Sequence, residues 1–223
     1  MTKDKQHHVS SCLDGVPLFQ SLTTDQKTHL HSSVFHKRFE KGETIYRPGE
    51  VADSLYVLNS GKIRIYRLSD TGKEQLNRIL LPGQFTGELA LLKEGYYEAY
   101  AEAIEPVAIC SIRHSDFMNS LVEHPSISVT MLQVLAGRLA TSELQTAWVT
   151  TETVRDRLIH FLLQSQQPTN GLPIVDLGMT KKNLASYLGT TSESLSRELT
   201  RLEKEGAIAE VGYGLIQLLA LEE

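Results

Sequence analysis

Glu193, Ser196 and Arg197 stand at i, i+3 and i+4, a spacing that puts three side chains on one face of a helix. A carboxylate, a hydroxyl and a guanidinium side by side can read the edges of base pairs. Arginine bonds O6 and N7 of guanine together, and glutamate accepts from the amino group of cytosine. Leu195, Leu199 and Leu202 fall on the opposite face of the same helix, so the polar trio points away from the core those leucines build. The plainer alternative is a solvated Glu–Arg pair worth a few tenths of a kcal/mol.

The surrounding residues favour the base-reading alternative. Thr180 can cap a first helix whose inward face is Leu184, Ala185 and Leu188, and Gly189 permits a turn. Thr191 or Ser192 can then cap the helix that carries the trio. Two helices so joined form a helix-turn-helix, in which the first turns of the second helix meet base edges in the major groove. Thr180, Lys181, Thr191, Ser192 and Ser194 flank the trio, where phosphate contacts would fix register without reading sequence. The formal net charge of the chain is −5. From Gly178 to Lys204, however, Lys181, Lys182, Arg197, Arg201 and Lys204 outnumber Glu193, Glu198 and Glu203, and a binding patch depends on local charge. Beyond Gly206, the runs Ala207–Glu210 and Leu215–Leu219, joined through Val211-Gly-Tyr-Gly214, predict a hairpin wing.

The second candidate site is the pair of cysteines. Cys12 lies just ahead of Val16-Pro-Leu-Phe19, and Cys110 lies in a strand-like run. Two cysteines do not make a disulfide scaffold. They can be inert small apolar residues. Cys12 with His7 and His8 can also be weighed as metal ligands, although the spacing fits no standard zinc motif. We therefore expect no metal and no cofactor. His29, His31, His36 and His160 are scattered, and surface placement is expected for them.

The elements that must position these residues form an α+β chain. Short β-rich runs, Val34–Phe39, Thr44–Arg47, Ser54–Leu58, Lys62–Leu68 and Gln75–Leu80, are separated by Gly42, Gly49, Gly61, Gly72 and Gly83. Strands at that spacing imply a sandwich, barrel or jelly roll. A short helix is expected after Ser115 as N-cap, ending before Pro125. A long helix follows, from near Ser126 to about Val149. Its apolar positions Ile127, Met131, Val134, Leu135, Leu139, Leu144 and Trp148 suggest a face packed on the roll together with a seam for a second copy. The β-branched run Val149–Val154 reads as a hinge, a helical stripe follows to Gln166, and Pro168, Asn170 and Gly171 mark a loop. The expected domains are a β-roll sensor over 1–125, a dimerisation helix over 126–149 and a winged helix-turn-helix over 150–223. With 41% hydrophobic residues, no apolar leader and no run of about 18 apolar residues, the chain is expected to be cytoplasmic with no membrane partner.

Along nearly its whole length the chain resembles the CRP/FNR transcription regulators. The roll motifs Lys41-Gly-Glu-Thr-Ile45, Leu55-Tyr-Val-Leu-Asn-Ser-Gly61 and Gly83-Gln-Phe-Thr-Gly-Glu-Leu89 are similar to those of the family's cyclic-nucleotide-binding domain. Glu193-x-x-Ser196-Arg197 resembles the FNR-branch signature, which implies half-sites of the form TTGA and TCAA about one helical turn apart. The resemblance further implies double-stranded DNA, a second copy of the chain and RNA polymerase as partners.

The sensor departs from two known effector types. The family's phosphate-binding Arg-Ser pair falls on Glu98 and Ala99, and Glu94 to Ile112 holds no Lys or Arg, so cyclic AMP is not expected as effector. Iron–sulfur sensors of the family need four thiolates, and this chain has two. The two-cysteine FNR-like (Flp) branch is the best match, and there the pattern implies a dithiol–disulfide switch between Cys12 and Cys110. Such a bridge would close a loop worth ~4–5 kcal/mol in the chain-entropy model. Two other function classes remain. The same scaffold could sense an unidentified small ligand. An enzyme such as a thiol oxidoreductase is disfavoured, because Cys-x-x-Cys, the phosphate-binding Gly-x-x-x-x-Gly-Lys loop and His-Glu-x-x-His do not occur.

Overall fold

The computed structural model describes residue 13 and residues 15–31, 34–93, 95–169 and 171–220. By contacts it divides into two units, one of residues 1–68 and 77–138 and the other of residues 69–76 and 139–223. The boundary falls inside the long helix, so that helix belongs to both units by chain connectivity.

The first unit is a roll of eight strands. They are β1 (Val34–Phe39), β2 (Thr44–Tyr46), β3 (Ser54–Ser60), β4 (Ile63–Leu68), β5 (Glu74–Leu80), β6 (Phe85–Thr86), β7 (Tyr100–Ala103) and β8 (Val107–Arg113). They form two four-stranded sheets, ordered β1-β8-β3-β6 and β2-β7-β4-β5. Period-two alternation decides what each face covers. In β8, Val107 and Ile109 join Leu58, Ile63, Ile65, Leu80, Ala101 and Ala103 in the core between the sheets. Cys110 and Ile112 point the other way and join Leu55 and Val57 in a second core, beneath a cover that includes Leu18, Phe19, Phe117, Ile127 and Met131.

The expected glycine turns are present: Gly42, Gly49, Gly61, Gly72 and Gly83 all have positive φ. The close approach is tightest at Gly61, where an added Cβ would stand 2.4 Å from the Pro106 carbonyl oxygen. Residues 17–19 form a 3-10 turn, and among the elements of the described residues the helices α1 (Thr24–His31), α2 (Glu88–Leu92) and α3 (His114–Glu123) belong wholly to this unit. Ser115 does not cap α3. The helix starts two residues earlier than expected, at His114, with Arg113 at the N-cap and no side-chain cap. Helix α4 runs from Pro125 to Thr151, because proline is well suited to a first helical position, where no N–H is needed.

The expected hinge is shorter than the β-branched run suggested. Helix α4 absorbs residues 149–151, and α5 (Val154–Ser165) begins at once on a capping box in which Thr153 and Asp156 satisfy each other's backbone N–H groups. The Thr153 hydroxyl bonded to Asp156 holds that carboxyl below its usual range. The expected loop at 168–171 is a hairpin, with β9 (Gln167–Thr169) and β10 (Leu172–Asp176) flanking it. These strands extend the wing of β11 (Ile208–Gly212) and β12 (Leu215–Leu218) into a sheet ordered β11-β12-β10-β9. Helices α6 (Lys181–Tyr187) and α7 (Ser192–Lys204) pack Leu184, Ala185, Leu188, Leu195, Leu199 and Leu202 into the core of this second unit, against Leu158 and Leu162 of α5.

Candidate functional site

Helices α6 and α7 meet at a left-handed turn. Gly189 has φ of +67°, and an added Cβ would stand 3.3 Å from the Val149 methyls and from Arg157 Nη1. Arg157 is buried and clamps this turn: its Nη1 donates to the Leu188 carbonyl at 2.6 Å. Gln145 Nε2 donates to the Tyr187 carbonyl at 2.8 Å. Neither residue stood out in the sequence. Arg157 interrupts an apolar stripe, and a cation at such a position suggests a buried carbonyl partner.

On α7 the three leucines are buried and Glu193, Ser196 and Arg197 are exposed on the other side. Arg197 donates to Glu193 across one turn, with both side chains about three-quarters exposed (73% and 74%). Of the two candidate caps for α7, Thr191 acts. Its hydroxyl accepts from Ser194 N and donates to Ser194 Oγ at 3.0 Å, while Ser192 is the first helical residue and exposed. Thr180 caps α6 by accepting from Asn183 N. Lys181 is exposed and reaches across to the wing, where its Nζ lies 2.9 Å from Glu210 Oε2. The wing tip carries Tyr213, 98% exposed. The cap hydroxyls and Lys181 therefore have protein partners that a phosphate would have to share or displace.

In the roll, a cavity of about 90 Å³ is lined by residues that include Tyr46, Arg67, Arg78, Glu88, Tyr97 and Glu98. That is below the ~300 Å³ at which small-molecule pockets begin. The cations near Gly87-Glu88-Leu89 come from elements distant in sequence. Arg67 of β4 pairs with Glu98 at 2.6 Å. Arg78 of β5 lies 3.4 Å from Glu88, and Arg138 of α4 lies 2.6 Å from the same Oε1. Glu88 is 1% exposed, and its Oε2 has no hydrogen-bond partner. Burial lowers the Arg138 pKa while Glu88 opposes the shift. Tyr46, stacked on Tyr97 at 4.1 Å, is pushed by burial up to about 12.

Cys110 is 1% exposed and is disulfide-bonded. Cys12, the one other cysteine of the sequence, lies outside the described residues, as do His7 and His8. His36 is exposed and His160 partly exposed, in line with the surface placement expected, and both have partners. The His36 Nδ1 is 3.6 Å from Cys110 Sγ, and His160 stacks on Trp148 at 5.4 Å. The side chains of His29 and His31 lie outside the described set. Among the described residues no cluster of three or more His, Cys, Asp or Glu could hold a metal ion, and no helix is long and apolar enough to cross a membrane.

Known proteins are similar to this chain in sequence and fold. The sequence matches the Cyclic nucleotide-binding domain family over residues 36–124 and the Crp-like helix-turn-helix domain family over residues 156–223. It is 33% identical over 202 residues to the Probable transcriptional regulator flp of Lacticaseibacillus casei, covering 91% of each chain. It is 30% identical over 207 residues to the Cyclic AMP receptor protein of Thermus thermophilus, covering 92% of this chain and 94% of that one. Among solved structures, FixK2 from Bradyrhizobium japonicum is similar with a TM-score of 0.71 at 26% identity, covering 84% of this chain and 93% of that one.

Proposed function

Because the chain belongs to the CRP/FNR family of DNA-binding transcription regulators, we propose that it acts in the cytoplasm as a homodimer on a TTGA–TCAA palindrome, switched by a Cys12–Cys110 dithiol–disulfide couple. The observation that carries the DNA part is the outward comb of Glu193, Ser196 and Arg197 on a helix whose other face is buried. Arg197 would read guanine and Glu193 cytosine. Ser196 would pack between them, and Thr180, Lys181, Thr191, Ser192 and Ser194 would hold phosphates. RNA polymerase is the partner such a regulator would address.

Dimerisation is supported by the outer face of α4, where Val129, Leu132 and Leu139 are 54%, 67% and 60% exposed in one chain. Two copies related by a two-fold axis would bury these faces and set two recognition helices about one helical turn of DNA apart. The switch is supported by the bonded state of Cys110, since intracellular disulfides are mostly transient and redox-sensing. Cyclic AMP is disfavoured as effector by the size of the cavity at Gly87-Glu88-Leu89, where the family's motif stands, and by Glu98 on its wall. A gel shift on the palindrome with matched oxidised and reduced protein tests the proposal. We expect sequence-specific retardation that differs between the two states; equal retardation in both would end the redox part, and no preference for the palindrome would end the DNA part.

A second reading rests on Glu88 Oε2, buried and unpartnered beside the cavity. A small polar donor bound there would stabilise the roll. A thermal shift with small hydrogen-bond donors (ammonium, methylammonium and formamide) decides, and no shift with any of them would sink this reading.

A further inference from the structure

His36 and Cys110 are directly opposed in the antiparallel pair of β1 and β8, so their side chains leave the sheet on one face. The imidazole Nδ1 stands 3.6 Å from Sγ. The two residues differ sharply in exposure. Cys110 is sealed in the apolar core with Leu55, Val57 and Ile112. His36 is exposed, because β1 is the edge of its sheet. One ring therefore touches buried sulfur on one side and solvent on the other.

The bonded state fixes which atom donates. A disulfide sulfur carries no hydrogen, so the hydrogen bond to Cys110 Sγ must come from the ring and Nδ1 must hold the proton. We propose that His36 is the proton donor and acceptor of Cys110 in the thiol–disulfide switch, relaying protons between solvent and the buried sulfur. The proposal rests on the redox reading above and assigns a residue to it.

The chemistry requires such a group. Exchange proceeds by thiolate attack on one sulfur and departure of the other. With Cys110 Sγ buried, the proposed route has the reductant attack the other sulfur of the bridge, with Cys110 as the leaving group. A bare thiolate in apolar surroundings is costly. With a dithiol reductant, the first thiolate forms a mixed disulfide with Cys12 while the S–S electron pair departs on Cys110 Sγ. That sulfur takes the Nδ1 proton. The ring either starts as imidazolium or gains a proton at Nε2 from solvent as Nδ1 gives one up, and it finishes as the Nε2–H tautomer. The second thiol of the reductant, after losing its proton to water, closes a cyclic disulfide and releases Cys12, which is protonated from water. The protein disulfide and the dithiol become two protein thiols and one cyclic disulfide, with two electrons passing to the protein. Oxidation runs the same steps backwards, with Nδ1 as the base that removes the Cys110 proton.

The test is the rate at which dithiothreitol reduces the oxidised full-length chain at fixed pH, followed by alkylation and electrophoresis. His36→Ala and His36→Gln replace an exposed residue and open no core cavity, and their thermal midpoints check folding. We expect reduction slower by at least about tenfold in both, at or below the low end of what a positioned general acid contributes. Added imidazole should restore the rate of His36→Ala and leave His36→Gln slow. Unchanged rates in the variants would overturn the proposal. So would slow reduction that imidazole does not rescue, which would mark a merely structural role, or a wild-type chain that forms no intrachain disulfide. If oxidised and reduced wild-type protein bind DNA equally while the rescue is seen, the switch as regulator fails and the assignment of His36 stands.

Discussion

Arg197 donates its hydrogen bond to Glu193 one turn away on the exposed face of α7. In the free protein the two side chains proposed to read bases therefore occupy each other. An exposed pair of this kind is worth a few tenths of a kcal/mol. A bidentate contact to a base pair is worth ~1–3 kcal/mol of discrimination, so the pair would yield to the proposed base contact. Arg197→Ala should leave the unfolding midpoint within ordinary scatter, weaken binding by ~1–3 kcal/mol and relax preference at one base position per half-site. Gel shifts against single-base variants of each half-site measure it. Unaltered preference would mean that Arg197 does not read a base.

Lys181 makes a second internal bond, the 2.9 Å contact to Glu210 on the wing, which the proposed phosphate contact would have to displace. Lys181→Ala should weaken binding evenly across sequences and lower the salt slope of log K by about 1. Glu210→Gln should act in the opposite direction. It frees the ammonium and removes a negative charge from beside the duplex, so binding tightens and the slope steepens. A salt titration of all three proteins on one operator distinguishes these outcomes. If Glu210→Gln weakened binding, the wing carboxylate would be orienting Lys181 and not competing for it.

These two pairs show what could be read from residue order alone and what could not. The comb, its leucine backing and the Thr180 cap follow from local periodicity and cap chemistry, which act within one or two helical turns. Helix α4 was legible for the same reason. Local rules failed where partners are distant in sequence. Arg67 and Arg78 reach the roll cavity from β4 and β5, and Arg138 reaches Glu88 from α4, so the residues that follow Gly87-Glu88-Leu89 in sequence do not reveal them. His36 looked like one of several scattered histidines because only the β1–β8 register sets it opposite Cys110. The hairpin of β9 and β10 was hidden by Pro168 and Gly171, which read as loop punctuation. Proline is tolerated there because β9 is an edge strand.

The buried Glu88 illustrates the energetic weight of such distant partners. Its carboxylate is 1% exposed and is neutralised by Arg138 at 2.6 Å and, more loosely, by Arg78 at 3.4 Å. Removing one partner of a buried pair typically costs ~3–5 kcal/mol, because the remaining charge is stranded. Arg138→Met should fall toward the lower end, since Arg78 remains. Glu88→Gln with Arg138→Met should recover much of the loss. Urea unfolding of the single and double variants is the measurement. A double variant as unstable as Arg138→Met would show that the arginine acts through its stacking on Phe85 at 4.5 Å and not through charge.

Leu132 and Leu139 are seven residues apart on α4, so they lie on nearly the same face of the helix, and both are more than half exposed in a single chain. If that face is the seam of a homodimer, a charge there separates the copies without disturbing either core. Leu132→Asp with Leu139→Asp should shift sedimentation from dimer to monomer. Circular dichroism should stay close to wild type, because neither side chain belongs to a buried cluster. Specific DNA binding should weaken by more than tenfold, since each monomer then engages one half-site without the effective concentration supplied by its partner. A doubly substituted chain that still sediments as a dimer would place the interface elsewhere on the molecule, and the spacing expected between the two half-sites would lose its structural basis.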